Sequence, residues 1–108
     1  MKETLALRAD FTATREAFET ALGVGIRGTP RPIRGVALDT RTLREGDVFF
    51  ALSSQRDGHD FVEQAWARGA ALCVVSRPIA EKIPQAVVGE TYLALANLAR
   101  SHRERWGK

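Results

Sequence analysis

Apolar residues in this chain form short runs of strand length, separated by turn residues and by segments with helical spacing. The two clearest runs are residues 33–38 and 48–52, which are rich in β-branched and aromatic side chains. The second run is continuously apolar, and this predicts a strand buried on both faces. Residues 44–47 between the runs are typical of a tight turn, because Gly46 tolerates a positive φ and Asp47 can accept a hydrogen bond from nearby backbone.

Residues 1–32 are predicted to form a helix and a connector. Apolar side chains recur at helical spacing over residues 17–22, Thr12 or Thr14 can cap this helix, and Gly23 can end it. The glycines and prolines that follow mark residues 23–32 as a connector. Brief strands are indicated at residues 5–8 and 24–27.

A strand–helix–strand unit is predicted after the central turn. Residues 60–68 form its helix, capped by Asp57 or Asp60, and residues 71–75 form the second strand. The inner face of the helix consists of Phe61, Val62, Ala65 and Trp66. Such a unit crosses over with a right hand and leaves its two strands parallel. Residues 85–88 add a further short strand.

The last predicted helix begins at Thr91. Its residues on or near the buried side are Tyr92, Leu95, Ala99 and Trp106. Its outer face carries Arg100, Arg103, Glu104 and Arg105, with cations near the C-terminus of the helix, where they are favourable. The fold class is therefore α/β, with a small, mixed and largely parallel sheet flanked by about three helices. We expect one domain, in which residues 1–32 precede a core of residues 33–108.

Composition narrows the classes of function. The chain has 108 residues, of which 44% are hydrophobic and 27% charged, as in ordinary soluble domains. No apolar run approaches the roughly 20 residues needed to span a bilayer, and a single cysteine excludes an internal disulfide. The net charge of +3 comes from basic residues interleaved with 13 acidic ones, without a repeated basic–aromatic pattern. We therefore expect a cytoplasmic protein that binds neither nucleic acid nor membrane.

Polar side chains follow both central strands, where open α/β sheets bind ligands. Asp39, Thr40 and Arg41 come after the first strand, and a polar loop of residues 53–60 comes after the second. Arg41 carries a planar fork of donors that suits a phosphate or a carboxylate. Alternatively, Asp39 and Arg41 pair with each other and pin the turn before Gly46.

Catalytic and metal chemistry find little support in the sequence. His59 has no accompanying nucleophile, so capping or packing of the loop is the simpler interpretation. Cys73 lies within an apolar run and is expected to be inert. One cysteine and two distant histidines give no metal-ligand spacing. No phosphate-binding G-x-x-G-K-[ST] loop is present, so this chain alone is not expected to hydrolyse ATP.

A longer pattern combines these features: G-V-x-x-D-T-R-x-x-x-x-G-D-x-F-x-A-L over residues 35–52, followed by D-G-H-D-F over residues 57–61. It resembles the N-terminal domain of the Mur ligases, which build the peptide stem of peptidoglycan. The likeness covers residues 33–106 and is greatest to the members that add D-alanyl-D-alanine to UDP-MurNAc-tripeptide.

The resemblance implies a binding site for the UDP part of a UDP-MurNAc-peptide. The residues that it places at this site are Thr40, Arg41, Ser53, Ser54, Gln55 and Arg56. The residues to which it gives structural or loop-capping roles are Asp39, Gly46, Asp57, Gly58 and His59. The sequence departs from the family pattern at Ser54, where a glycine is usual, and the loop is about one residue shorter before Asp57.

The implied function is to hold the UDP-MurNAc-peptide as the N-terminal domain of a peptidoglycan-precursor ligase, without catalysis by this chain alone. ATP and Mg²⁺ are then expected only with the central ligase domain, and the partners are the remaining ligase domains or another protein chain. The altered loop leaves an alternative from another class. That alternative is a regulatory or protein-interaction module that kept the fold and lost the nucleotide.

Overall fold

The computed structural model of the chain describes residues 8–52 and 61–105, with side chains described over residues 14–52 and 61–100. The elements in chain order are β1 (Arg8–Ala13), α1 (Arg15–Leu22), β2 (Ile33–Ala37), β3 (Asp47–Phe50), α2 (Val62–Ala67), β4 (Leu72–Val75), β5 (Gln85–Val87) and α3 (Thr91–Arg105). Within these ranges, five strands form one sheet in the order β1-β2-β3-β4-β5. The predicted fold class is confirmed.

The sheet is mixed because only β1 runs against its neighbour. β1 pairs with β2 in the antiparallel sense, whereas β2, β3, β4 and β5 are parallel to one another. The carboxyl ends of four strands therefore lie along one edge of the sheet. We call this the carboxyl edge, and the opposite one the amino edge.

Both faces of the sheet are buried, as the continuous apolar run in β3 predicts. Val48 and Phe50 pack in a cluster with apolar residues of α1 and α3. Phe49, which points to the other face, packs in a second cluster with Val62 and Ala65 of α2. The alternation follows from the two-residue period of a strand. Helices on both faces thus hold the strand ends in fixed positions.

In the first 32 residues, α1 has the predicted bounds, whereas the first strand lies later in the chain than predicted. Of the strand predicted at residues 5–8, only Arg8 lies within the described residues, and it begins β1, Arg8–Ala13. Thr14 is the helix cap, since its hydroxyl accepts a hydrogen bond from Ala17 N at 3.0 Å. Gly23 ends the helix with φ of 79° and donates its N–H to Glu19 O. Thr12, the other candidate cap, lies within β1.

The connector after α1 runs along the amino edge. The strand predicted at residues 24–27 is wrong, because only Arg27 exchanges backbone hydrogen bonds with Gln85, at 2.7 and 3.0 Å. Glycines on both sides of this short segment disfavour a longer ladder. Further along, Arg31 stacks 3.5 Å from the centre of the Trp66 ring and donates to Trp66 O and Ala70 O. The connector is thereby attached to β5 and to the end of α2.

Element bounds after the connector differ from the prediction by one or two residues. β2 ends at Ala37 and β3 ends at Phe50, one and two residues before the predicted ends. α2 spans Val62–Ala67, with Phe61 at the N-cap position and no side-chain cap. The predicted caps Asp57 and Asp60 lie outside the described residues.

The buried face of α3 differs from the predicted one. Thr91, Ala94 and Leu98 are buried and Leu95 is partly buried, a stripe with the i, i+3, i+4, i+7 spacing of an α-helix. Tyr92 is 44% exposed and Ala99 is also exposed, so their predicted burial is wrong. Arg100 is exposed as predicted, whereas Trp106 and the side chains of Arg103, Glu104 and Arg105 lie outside the described set.

Candidate functional site

The turn after β2 is built by hydrogen bonds from the residues that follow the strand. Thr42 donates both its backbone N–H and its hydroxyl to Asp39 O, each at 3.2 Å. Leu43, which is buried against the α2 face of the sheet, donates its N–H to Thr40 O. The apolar anchor at Leu43 thus fixes the polar segment 39–42 at the carboxyl edge.

Asp39 and Arg41 form an ion pair within this turn. The Asp39 carboxylate accepts hydrogen bonds from Arg41 N at 2.9 Å and from Arg41 Nε at 3.0 Å, and it also accepts one from the guanidinium terminus. These bonds lower the pKa of Asp39 and raise that of Arg41. The Arg41 side chain is 82% exposed, so most of it faces solvent while it is paired. The pairing that the sequence left as an alternative is therefore present.

Thr40, the hydroxyl expected at the ligand site, lies beneath the surface. It is 6% exposed, and its hydroxyl donates to Gln64 Oε1 at 3.4 Å. Gln64 belongs to α2 and is exposed. The sequence did not identify Gln64 as a site residue. The one available indication was its position on the polar side of α2, away from Val62 and Ala65.

Most of the other predicted site residues lie outside the described residues, namely Ser53, Ser54, Gln55, Arg56, Asp57, Gly58 and His59. The described residues on either side show where this loop leaves and returns. Ala51 N donates to Val74 O at 2.9 Å beside the end of β4, and Phe61 packs against the α2 face of the sheet. The loop therefore leaves beside the end of β4 and returns at the start of α2, whose Gln64 contacts Thr40.

Gly46 lies at the amino edge, away from this turn. Its φ is 91°, its N–H donates to Gly69 O at 2.8 Å, and an added Cβ would lie 3.0 Å from Arg34 Cγ. The buried Asp47 carboxylate accepts a hydrogen bond from Arg44 N at 2.8 Å. Gly46 thus takes part in the turn between β2 and β3.

Reactive groups are scarce where the structure can be described. Burial raises the pKa of the Cys73 thiol to about 12, so the thiolate is not formed at neutral pH. Over residues 14–52 and 61–100, no group of three His, Cys, Asp or Glu side chains is placed to hold a metal ion. The described helices include none that is long and apolar enough to cross a membrane.

A separate depression lies beside the outer edge of β5. Its lining residues are Arg27, Gly28, Pro78, Ile79, Glu81 and Gln85. The Gln85 carboxamide within it is already bonded to protein backbone, since Oε1 accepts from Ile79 N and Nε2 donates to the carbonyls of Ile79, Ala80 and Ile83. The Gln85 carboxamide therefore holds the neighbouring backbone and is not free to bind a ligand in this depression.

Comparison with known proteins identifies relatives of this chain by sequence. A family model described as "Mur ligase family, catalytic domain" matches residues 32–103. The chain is 41% identical over 81 residues to the UDP-N-acetylmuramoyl-tripeptide–D-alanyl-D-alanine ligase of Escherichia coli, covering 74% of this chain and 18% of that protein. It is 38% identical over 77 residues to the UDP-N-acetylmuramoyl-L-alanyl-D-glutamate–2,6-diaminopimelate ligase of Aquifex aeolicus, covering 70% of this chain and 15% of that protein.

Solved structures resemble the fold as well. A crystal structure of MurF from Acinetobacter baumannii superimposes with a TM-score of 0.75 at 32% identity, covering 89% of this chain and 22% of that one. A structure of the MurF ligase from Thermotoga maritima in complex with ADP gives a TM-score of 0.60 at 33% identity, over 64% of this chain and 16% of that one. The A. baumannii match is longer than residues 33–108 alone, so part of the first 32 residues is included. The chain spans less than a fifth of these sequence relatives, and it belongs to the Mur ligase family.

Proposed function

We propose that this chain binds the UDP end of a UDP-MurNAc-peptide, as the N-terminal substrate domain of a ligase that adds D-alanyl-D-alanine. The observation that carries the proposal is the arrangement of the carboxyl edge. There, the Asp39–Leu43 turn, Gln64 and both ends of the loop of residues 53–60 come together in a member of the Mur ligase family. Ligands of open α/β sheets bind at such strand ends.

The choice among Mur ligases rests on the relatives. Those compared with this chain add either 2,6-diaminopimelate or D-alanyl-D-alanine, according to their names. Sequence identity is the same for the two types, at 41% to the E. coli D-alanyl-D-alanine ligase and 41% to the 2,6-diaminopimelate ligase of Geobacillus kaustophilus. The structural match over 89% of the chain is to MurF, and this match supports the D-alanyl-D-alanine type.

Within the proposed site, the polar loop supplies the diphosphate contacts. Ser53, Ser54, Gln55 and Arg56 offer hydroxyl, amide and guanidinium donors, and Arg41 adds a second guanidinium at the same edge. Charge-assisted bonds from arginine to phosphate oxygens are the strongest of these contacts. The ion pair with Asp39 restricts the position of the Arg41 side chain before a ligand binds.

The chemistry of ligation belongs to other domains in this proposal. The sequence has no G-x-x-G-K-[ST] loop with which to hold ATP phosphates. ATP and Mg²⁺ would be bound by a central ligase domain, and this chain would hold the nucleotide end of the substrate while the peptide end reacts. The partners are accordingly the UDP-MurNAc-peptide and the remaining ligase domains.

An NMR titration of the labelled chain tests the proposal. UDP-MurNAc-tripeptide and UDP should give saturable shifts at residues 39–43 and 53–60 and at Gln64, whereas ATP should give none there. ATP serves as the control because it carries more phosphate charge and a different base. Absence of saturable shifts with both UDP ligands at millimolar concentration would contradict the proposal, as would equal shifts with ATP.

A further inference from the structure

We propose that the amino edge of the sheet is a docking surface for an acidic segment of a protein partner. The surface consists of four exposed arginines, Arg27, Arg34, Arg44 and Arg68, which we call the arginine row. It lies at the opposite edge of the sheet from the proposed nucleotide site. The arginine row is therefore a second binding surface, and it does not depend on the proposed function.

Two of these arginines lie at the starts of β2 and β3. Arg34 is the second residue of β2, and its N–H donates to Gly46 O at 2.8 Å. Arg44 lies in the turn that leads into β3, where its carbonyl accepts a hydrogen bond from Asp47 N at 3.0 Å. The Arg34 side chain packs against this turn, because a Cβ added at Gly46 would lie 3.0 Å from its Cγ. The two arginines are therefore neighbours at the amino edge.

The other two arginines lie beside the starts of β4 and β5. Arg68 follows α2 and precedes Gly69, whose carbonyl accepts a hydrogen bond from Gly46 N at 2.8 Å shortly before β4 begins. Arg27 exchanges backbone hydrogen bonds with Gln85, the first residue of β5. Neighbouring strands are about 4.8 Å apart, so the arginine row extends over roughly 15–20 Å.

The guanidinium groups of the arginine row are available to a partner. All four residues are exposed, and none of the four side chains forms an ion pair or a hydrogen bond with another described residue. Arg31, a fifth arginine at this edge, differs because its guanidinium donates to Trp66 O and Ala70 O. Arg31 therefore stabilises the fold, whereas the arginine row has no such role in the described structure.

Acidic side chains at this edge do not neutralise the arginine row. Glu45 packs against Gly69, and Glu81 lines the depression that also includes Arg27. Over the described residues, neither glutamate forms an ion pair with an arginine of the row. The four arginines thus outnumber the two glutamates, and the amino edge attracts anions.

A segment rich in aspartate and glutamate is complementary to this row. The planar guanidinium group of arginine donates two parallel hydrogen bonds to one carboxylate. An extended peptide places the side chains of one face roughly 7 Å apart, so successive carboxylates can reach several arginines along the strand starts. The partner that fits both the charge and the length of the row is therefore an acidic, extended stretch of polypeptide.

Nucleic acids and membranes fit this surface less well. Surfaces that bind single-stranded nucleic acid combine cations with aromatic rings on which bases stack. The Trp66 ring at this edge is covered by Arg31, 3.5 Å from its centre. Membrane-surface segments combine cations with exposed apolar side chains. Tyr92 and Leu93, the exposed large hydrophobic residues of the described structure, lie at the beginning of α3, which follows the carboxyl end of β5.

An NMR titration of the labelled full chain tests the proposal with an acetylated and amidated octapeptide of alternating aspartate and glutamate. The amides of the arginine row and their neighbours should shift saturably, with UDP added as well as without it. An octapeptide of alternating asparagine and glutamine is the uncharged control and should give no such shifts. Raising the ionic strength from about 0.05 M to about 0.5 M should weaken binding several-fold. Because the titration needs no nucleotide, its outcome is independent of whether UDP binds.

Arg44→Gln and Arg68→Gln locate the binding surface. Each removes one charge from an exposed residue, so we expect the fold to be retained, which the amide spectrum reports. Each variant should weaken peptide binding about twofold to fivefold, as for an exposed ion pair, and the double variant about tenfold. Arg100→Gln is the matched control, because it removes the same charge from an exposed position on α3. It should weaken binding by less than about twofold.

Four results would overturn the proposal. The first is the absence of saturable shifts with the acidic peptide at millimolar concentration. The second is equal weakening by Arg100→Gln and Arg44→Gln, because the peptide would then respond to net charge alone. The third is loss of peptide binding when UDP is added, because the two surfaces would then be one. The fourth is tighter binding at the same amides by a thymidylate octamer or by vesicles of equal parts phosphatidylserine and phosphatidylcholine.

Discussion

Two glutamines of this chain have opposite environments, one buried and one exposed. Gln85 begins the edge strand β5, is 3% exposed, and makes four hydrogen bonds to the backbone of residues 79–83. Those bonds hold the connector between β4 and β5 in place. Gln64 is exposed and has a single side-chain bond among those described, to Thr40.

Replacing Gln85 should strongly destabilise the fold. In Gln85→Leu, the N–H of Ile79 and the carbonyls of Ile79, Ala80 and Ile83 lose their partner. Buried polar groups without partners cost roughly 1–3 kcal/mol each, and solvent can recover part of this at the connector. We expect a loss of about 2–4 kcal/mol in the free energy of unfolding, measured by urea denaturation.

Gln64→Leu is the matched control for that experiment. It makes the same chemical change at an exposed helix position, and we expect the free energy of unfolding to change by less than about 0.5 kcal/mol. Equal losses in the two variants would show that the hydrogen bonds of Gln85 do not hold the connector.

Neither glutamine environment could be read from the sequence. The residue type of Gln85 does not indicate whether its side chain points to solvent or into the protein. The Thr40–Gln64 contact joins residues that are far apart in the chain, so no local pattern predicts it. The turn at Gly46 and Asp47, in contrast, could be predicted from the sequence. Its chemistry is local, so residue type alone predicted a positive φ at Gly46 and a backbone hydrogen bond to the Asp47 side chain, for which the structure shows Arg44 N as the donor.

The elements themselves were largely predictable because each strand is a short apolar run and each helix has a periodic face. α3 shows where this kind of reasoning fails. Residues 92–99 are nearly all apolar, so the pattern identifies a helix without identifying its buried side. Packing against α1 and the sheet selects Ala94 and Leu98, and it leaves Tyr92 and Leu93 at the surface.

Leu98 and Leu93 provide a matched test of this face. Leu98 is 2% exposed and Leu93 is 60% exposed. Leu98→Ala should lower the free energy of unfolding by about 2–4 kcal/mol through lost burial and a cavity. Leu93→Ala should change it by less than about 0.5 kcal/mol. Denaturant midpoints of the two variants measure the difference, and a larger effect at Leu93 would mean that α3 is rotated from the observed orientation.

At the scale of the whole molecule, the first part of the chain is joined to the family-like core. Phe18, Leu22 and Ile26 belong to the same buried cluster as residues of β3, β4 and α3. Glu19 links α1 to the connector, because its carboxylate accepts a hydrogen bond from Ile26 N at 2.7 Å and lies 3.3 Å from Arg15 Nε. Arg15 in turn donates to Ile26 O at 2.7 Å.

This link predicts a pH dependence of stability. The Ile26 N–H, followed by Arg15, lowers the pKa of Glu19, and hydrogen bonds from Arg41 lower the pKa of Asp39. A carboxyl whose pKa is lower in the folded state contributes stability above its ordinary pKa. That contribution is lost as the pH falls through the lowered value. We therefore expect stability to decrease from neutral pH towards pH values below the ordinary carboxyl range.

Glu19→Gln isolates one part of that dependence. The amide cannot titrate, so the variant should be less stable than the unchanged chain at neutral pH, and the difference should shrink as the pH falls. Urea denaturation at a series of pH values measures this. A constant difference across the series would show that the ionisation of Glu19 does not stabilise the junction between α1 and the connector.

The central claim concerns where a uridine nucleotide meets this molecule, and intermolecular NOEs with bound UDP test it most directly. The account predicts NOEs from the uracil H5 and H6 protons to side chains at the carboxyl edge, including the Gln64 amide and the exposed part of the Asp39–Leu43 turn. NOEs to the amino edge, such as Arg31 and the Trp66 ring that it covers, would contradict the account. So would NOEs to the depression beside β5, because the strand ends would then not be the nucleotide site.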